Sequence, residues 1–211
     1  LPCGYRNRAN AAHRVADKVV THMITARRWN VVALLIAAAI CCGCDSEDPA
    51  VARATAMIKR YPEKPSAYNR RGVAYEELGR FQEAIADYDR AIEIQPDAPN
   101  YYFNRANAWS SLKQFKKAIA DYNRAIRLVQ DDPDYFNNRG FAYAALGDFD
   151  QAIENYNAAI WLKPGDPDYY FSRAKAYEKQ GDMKRAEADR ATEKKIMKAF
   201  ADDAAPGDTS E

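Results

Sequence analysis

Cysteine and histidine are missing from most of this chain of 211 residues. All of them lie in the first 44 residues, at Cys3, His13, His22, Cys41, Cys42 and Cys44. Residues 45–211 therefore contain no thiol, imidazole or disulfide, and only carboxylates and hydroxyls could ligate a metal or act as nucleophiles. The sequence predicts no metal site and no cofactor.

A strong net charge is also missing. The formal net charge is +1, but residues 1–44 carry six Lys or Arg and one acid, which leaves 25 basic and 29 acidic side chains in residues 45–211. A protein that binds nucleic acid needs a basic surface. We therefore expect a protein or peptide partner and no nucleic acid.

The motifs of common active sites do not occur. The chain has no GxxxxGK[ST], GxSxG or HExxH, and no histidine beyond residue 44 that could act as a general base. We interpret acid pairs such as Glu76-Glu77 as solvated, because catalysis by carboxylates needs burial or a partner that shifts the pKa. We expect no catalytic residues and no enzyme activity.

The one long apolar run is Val31–Ile40. Arg27 and Arg28 precede it and small residues follow, an order typical of a secretory signal peptide over residues 23–44. Ten apolar residues are fewer than the roughly 20 that span a bilayer, and a signal anchor over Trp29–Cys44 is the alternative.

The end of this segment resembles the lipobox of bacterial lipoproteins. Gly43 and Cys44 match its last two positions and Cys42 is an acceptable small residue, whereas Cys41 stands where Leu is usual. The resemblance implies lipidation of Cys44, with the rest of the chain exported to the periplasmic side of a bacterial membrane. A redox pair or metal cluster is the rival interpretation, but no βαβ pattern follows that would lower a thiol pKa.

The two ends of the chain show no periodic pattern. Residues 1–22 receive no role, and they would precede the true start if Met23 is the initiator. Residues 201–211 are predicted to be disordered.

The block Pro65–Ala98 recurs at a fixed period without a gap. The four units are 65–98, 99–132, 133–166 and 167–200. A fixed period of this length indicates stacked repeats. Each unit is predicted to form two helices, which are separated near position 15, and a proline ends the second helix. A single unit cannot bury its apolar face alone, so neighbouring units must stack.

Half a unit precedes the array. Pro62 and Ala50 lie one full repeat period before Pro96 and Ala84, so residues 45–64 match a second helix without its first. We expect this helix to cap the N-terminal end.

The fourth unit loses the pattern in its second half, where Arg190 and Lys194 replace an aromatic and an apolar residue. Such a helix cannot accept another unit, so we predict a capping helix to about Phe200. We expect Ile196, Met197 and Phe200 to fold back on the preceding helix.

These residues resemble the tetratricopeptide repeat family, a helix-turn-helix module of about 34 residues. Counted from each proline, position 4 holds Tyr68, Tyr102, Phe136 and Tyr170, position 8 holds Gly72, Ala106, Gly140 and Ala174, and position 20 holds Ala84, Ala118, Ala152 and Ala186. The resemblance covers roughly residues 50–200. It implies an all-α fold, a right-handed α-solenoid.

The units depart from the family pattern at position 7, where Arg replaces Leu. These residues are Arg71, Arg105, Arg139 and Arg173, and position 23 holds Asp87, Asp121, Asn155 and Asp189. We expect a structural ladder, in which each Arg meets that residue or its counterpart in the next unit, rather than a row that binds ligand. Gln130 replaces the closing proline of the second unit, so its helix is expected to run on slightly.

The resemblance further implies a concave groove lined by the first helices. Its residues would be Asn69, Val73, Glu76, Phe103, Asn104, Asn107, Asn137, Asn138, Phe141, Phe171 and Lys175. Amides can bond an extended backbone and phenylalanines can anchor side chains, although the phenylalanines could instead pack between repeats. We expect a non-enzymatic adaptor that binds a peptide segment in this groove; the alternative is a structural or self-associating subunit of an envelope assembly that uses its capping helices.

Overall fold

The computed structural model describes residues 48–204, which form α-helices and connecting turns without a β-strand. The helices are α1 (Pro49–Arg60), α2 (Pro65–Glu77), α3 (Phe81–Ile94), α4 (Pro99–Ser111), α5 (Phe115–Leu128), α6 (Pro133–Ala145), α7 (Phe149–Leu162), α8 (Pro167–Gln180) and α9 (Met183–Ala204). The segments 1–22 and 23–44, with Cys44, and residues 205–211 lie outside this range. The all-α prediction is confirmed.

Proline and a left-handed residue set the bounds of each first helix. Proline occupies the first turn of α2, α4, α6 and α8, where no backbone N–H is needed. Position 15, which follows these helices, has positive φ: +71° at Gly79, +84° at Gly147 and +82° at Gly181. The second unit places Lys113 there at +58°, a conformation that disfavours side chains with a Cβ.

The helices stack in chain order. Each helix contacts the next, and the first helices of successive units (α2, α4, α6, α8) also contact one another. Successive second helices (α3, α5, α7, α9) do not contact one another within residues 48–204. The array is therefore tighter on the side of the first helices, as expected of a curved solenoid whose concave surface they line.

Tyrosines and small residues build the core. Tyr88 and Tyr122 are almost fully buried, and a Cβ on Gly72 would lie 2.6 Å from the Tyr88 ring. The glycine thus permits the close approach of α2 and α3.

A second set of tyrosines, at position 4, links each unit to the one before it. The hydroxyls of Tyr68, Tyr102 and Tyr170 donate to the carbonyls of Pro62, Pro96 and Pro164 at 2.9, 3.0 and 3.1 Å. The third unit has Phe136 where this tyrosine would be, and the second unit, which precedes it, has Gln130 where the proline would be. The prediction that Gln130 lengthens its helix is wrong, because α5 ends at Leu128, the same position in its unit as Ile94 and Leu162.

The two ends of the array differ. α1 ends at Arg60, one repeat period before the end of α3 at Ile94, in agreement with a half-unit. α9 is 22 residues long and continues past Ile196, the position at which the other second helices end. Within the described part of the chain no helix combines the length and apolarity needed to cross a membrane.

The prediction that the end of α9 folds back is wrong for Met197 and Phe200. Each is 54% exposed, whereas Ile196 is half-buried. The reason is that α9 extends beyond α8, so these residues have no first helix beneath them. Residues 201–204 are helical too, which corrects the first four residues of the predicted disordered tail.

Candidate binding groove

The position 7 arginines form the predicted ladder. In three units the guanidinium makes two hydrogen bonds, from Nε and Nη2, to the carboxylate sixteen residues later. The pairs are Arg71–Asp87, Arg105–Asp121 and Arg173–Asp189, with distances of 2.6 to 2.8 Å. The carboxylates are buried, so these are interior contacts.

Each arginine also reaches sixteen residues backward. Its Nη1 donates to Thr55, Asp89, Asn123 or Asn157 on the second helix of the preceding unit, at 3.4, 2.5, 2.6 and 2.6 Å. One side chain thus joins three helices from two units. The ladder is consequently occupied by contacts within the chain, which supports a structural role.

Arg139 is the exception in this ladder. Its Nε and Nη1 donate to the amide oxygens of Asn155 and Asn123, and it has no carboxylate partner among the described residues. Burial lowers the pKa of the Arg139 guanidinium, whereas the hydrogen bond with Asp87 raises the pKa of Arg71. The third unit therefore carries a half-buried positive charge without a negative partner.

The predicted groove asparagines contact one another across units. Asn104 Nδ2 donates to Asn69 Oδ1 at 2.9 Å, and Asn138 Nδ2 lies 3.4 Å from Asn107 Oδ1. Asn107 Oδ1 also accepts from the buried Tyr122 hydroxyl at 2.6 Å. These asparagines therefore form a row of contacting amides. Asn107 belongs to this row and also holds the hydroxyl of the core residue Tyr122.

Asn137 and Glu76 are more enclosed than a contact surface requires. Asn137 Oδ1 is buried and has no hydrogen-bond partner among residues 48–204. Glu76 Oε2 accepts from the Tyr88 hydroxyl at 2.6 Å. Burial raises the pKa of the Glu76 carboxyl, an effect that the Tyr88 hydrogen bond opposes. In contrast, Val73, one turn before Glu76 on α2, is exposed.

The three phenylalanines of the groove have different surroundings. Phe103 is half-buried and its ring centroid lies 4.8 Å from that of Tyr135 and 5.9 Å from that of Tyr122. Phe103 therefore packs between repeats. Phe141 is 56% exposed. Lys175 Nζ lies 4.2 Å from the centroid of the Phe171 ring.

A pocket lies between the third and fourth units, on the side of the first helices. Its volume is about 350 Å³, and its walls are formed by α6, α7 and α8. The lining residues are Phe141, Ala144, Ala145, Phe149, Tyr156, Phe171, Ser172, Lys175, Ala176 and Lys179. Phe149 and Tyr156 were missed by the sequence analysis because they lie on a second helix; the adjacent small residues Ala144 and Ala145 were the available signal of open space.

No group of three or more His, Cys, Asp or Glu side chains in residues 48–204 is arranged to hold an ion.

The fold and the groove define a class of protein, the helical-repeat scaffolds that bind other proteins. Family models agree with this class: the Tetratricopeptide repeat model matches residues 65–98, and the TPR repeat model matches residues 110–147 and 142–181, together about half of the chain. The chain belongs to the tetratricopeptide repeat family.

Solved structures with the same fold include several of the protein MamA. One crystal structure of MamA has a TM-score of 0.70 and 24% identity, over 74% of this chain and 91% of the other. MamA from residue 41 onward of Desulfovibrio magneticus RS-1 has a TM-score of 0.68 and 17% identity, over 71% of this chain and 84% of the other. At such identities the similarity establishes the fold alone. A comparison with curated proteins gives no significant match.

Proposed function

We propose that this protein is a non-enzymatic adaptor that binds an extended segment of a partner protein along the first helices. The observation that carries the proposal is the pocket between α6 and α8. The asparagines that contact one another along α2, α4 and α6 support it. A stack of first helices offers amide groups for a peptide backbone and apolar anchors for its side chains.

We further propose that the array acts on the periplasmic side of a bacterial membrane, attached through a lipid on Cys44. The support is the order of basic, apolar and small residues in 23–44 and the lipobox-like Gly43-Cys44. Labelling the full chain with palmitate in bacterial cells tests this. Label that persists in a Cys44→Ser variant would show that the lipid is not attached to Cys44.

Capture of partners from a membrane extract tests the groove. The bait is residues 45–211, since residues from Asp48 onward form a compact unit by themselves. The test variant carries Asn104→Ala and Asn138→Ala, and it leaves Asn107 unchanged because Asn107 supports Tyr122. Partners should be lost from this variant.

The matched control removes two exposed amides from outside the first helices, with Gln82→Ala and Gln130→Ala. It should retain the partners. Equal capture by the test and control variants, with equal melting temperatures, would contradict the groove proposal.

A second candidate is a structural role through the C-terminal helix. The exposed Met197 and Phe200 favour it, because apolar side chains at the end of an array are available for contacts with other proteins. Deleting the whole of α9 would be uninformative, since Ala186 and Asp189 belong to the core. Met197→Ser with Phe200→Ser is the sharper test, and loss of partners from this variant alone would favour the structural role.

A further inference from the structure

The pocket between the third and fourth units has an apolar floor and an open side. Phe141 approaches Phe115 edge-on, at 6.3 Å between centroids, and leaves more than half of its surface exposed. Ala144 and Ala145 follow one turn later and fill little space. The resulting volume of about 350 Å³ is at the lower end of the range for ligand pockets and suits one large side chain.

Two lysines stand at the rim of this pocket. Lys175 and Lys179 are one turn apart on α8, and both are exposed. Neither forms an ion pair with the described residues, and the acid between them, Glu178, is bonded to Arg190 instead. The Lys175 ammonium lies over the Phe171 ring, which holds the charge near the pocket.

The opposite end of the groove has the opposite charge. In the first unit, positions 12 and 13 hold Glu76 and Glu77, while the second and third units have Ser or Ala at both positions. In the first unit these two acids outnumber the exposed Arg70. An acidic ligand is therefore favoured at the fourth unit over the first. The groove thus has a polarity that would fix the direction of a bound segment.

We propose that this pocket binds a bulky apolar side chain of a partner segment whose next residues are acidic, with their carboxylates at Lys175 and Lys179. The inference rests on the proposed function of the groove and adds the chemistry of the bound segment. The apolar side chain supplies burial, and the lysines select the acidic neighbours.

Three short fluorescein-labelled peptides test this chemistry. GSGFDEDGSG has both features, GSGFNQNGSG lacks the charges, and GSGADEDGSG lacks the apolar side chain. Binding to residues 45–211 is measured by fluorescence anisotropy, and the bound site by amide chemical shifts in heteronuclear NMR. We expect the first peptide to bind about tenfold more tightly than the second and about thirtyfold more tightly than the third.

Two protein variants test the residues. Lys175→Gln with Lys179→Gln should lower the affinity for GSGFDEDGSG about tenfold, to that of the uncharged peptide. The control, Lys59→Gln with Lys116→Gln, makes the same charge change at exposed lysines outside the pocket. Ala145→Trp places a ring in the pocket from an exposed position and should abolish binding, whereas Ala120→Trp on α5 should not.

The outcomes separate this inference from the proposed function. Shifts around Phe141 and Lys175 that disappear with either peptide change support the inference. Equal binding of all three peptides, or shifts confined to Asn104 and Asn138, would overturn the inference and leave the groove function standing. Failure of every peptide to bind at concentrations up to millimolar would overturn the inference, while the capture experiment decides separately on the groove.

Discussion

Replacing Asn155 with Asp should stabilise the array. Arg139 has two amide oxygens as partners, where the equivalent arginines have at least one carboxylate. Its Nη2 has no partner within residues 48–204, whereas Nη2 of Arg71 bonds Asp87. A carboxylate at position 155 would convert a neutral acceptor into a charged one and permit the second bond.

The expected gain is the balance of four effects. A hydrogen bond to a charged group contributes about 1.5 to 3 kcal/mol, against about 0.5 to 1.5 kcal/mol for a neutral one. The bond from Asn155 Nδ2 to the Gln151 carbonyl, at 2.7 Å, is lost, at about 1 kcal/mol, and burying the new carboxylate offsets more of the gain. The second bond to Nη2 restores part of that loss, so we expect a net gain of about 1 kcal/mol in the free energy of unfolding.

Urea denaturation of residues 45–211, followed by far-UV circular dichroism, measures this change. The gain should correspond to about 2 to 4 °C in melting temperature for an array of this size. It requires an ionised carboxylate whose folded-state pKa is lowered by Arg139. It should therefore be present at neutral pH and disappear as the pH falls below about 4.

Two further variants control for net charge. Asn157→Asp makes the same change two residues away on α7, beside Arg173, which already has Asp189 as a partner. It should stabilise less than Asn155→Asp. Asp121→Asn should destabilise by about 1 to 2 kcal/mol, because Arg105 retains Asp89. An Asn155→Asp variant no more stable than the parent would refute the view that Arg139 lacks charge compensation.

Three other predictions concern stability. Lys113→Gly should raise the free energy of unfolding by about 1 kcal/mol, since Lys113 has positive φ, and Gly147→Lys should lower it by a similar amount; both are read from urea midpoints. Glu76→Gln should remove a pH dependence of the free energy of unfolding. Because the folded-state pKa of Glu76 is raised, the parent should gain stability relative to this variant as the pH falls from 7 through that pKa toward 4.5. An unchanged difference in stability over this range would show that Glu76 is not desolvated. Met197→Ser with Phe200→Ser should change the free energy of unfolding by less than about 0.5 kcal/mol, because both side chains are exposed. A larger loss of stability would support the folded-back arrangement instead.

The helices and their stacking could be predicted because their signals are local and repeated. Proline starts, position 15 turns and small residues such as Gly72 and Ala84 recur in each unit. The forward half of the arginine ladder was predictable for the same reason, as the Arg and its acid lie within one unit. The same spacing located the half-unit of α1.

The contacts between units were harder to predict. The backward bond from Arg105 to Asp89 depends on how two second helices lie beside one first helix, which no single unit encodes. The surroundings of Phe103 and Phe141 differ for a similar reason. Both belong to first helices, but Tyr135 of the next unit covers one, while Ala144 and Ala145 leave the other open.

The sixteen-residue reach of each arginine in both directions constrains how such an array can change its length. Inserting or deleting one residue in a turn would shift the arginines of one unit out of register with the acids and amides of its neighbours. Adding or removing a complete unit preserves every pairing. The array can thus lengthen by duplication of whole units, whereas a small insertion between Thr55 and Asp189 would disrupt both the forward and the backward contact of an arginine.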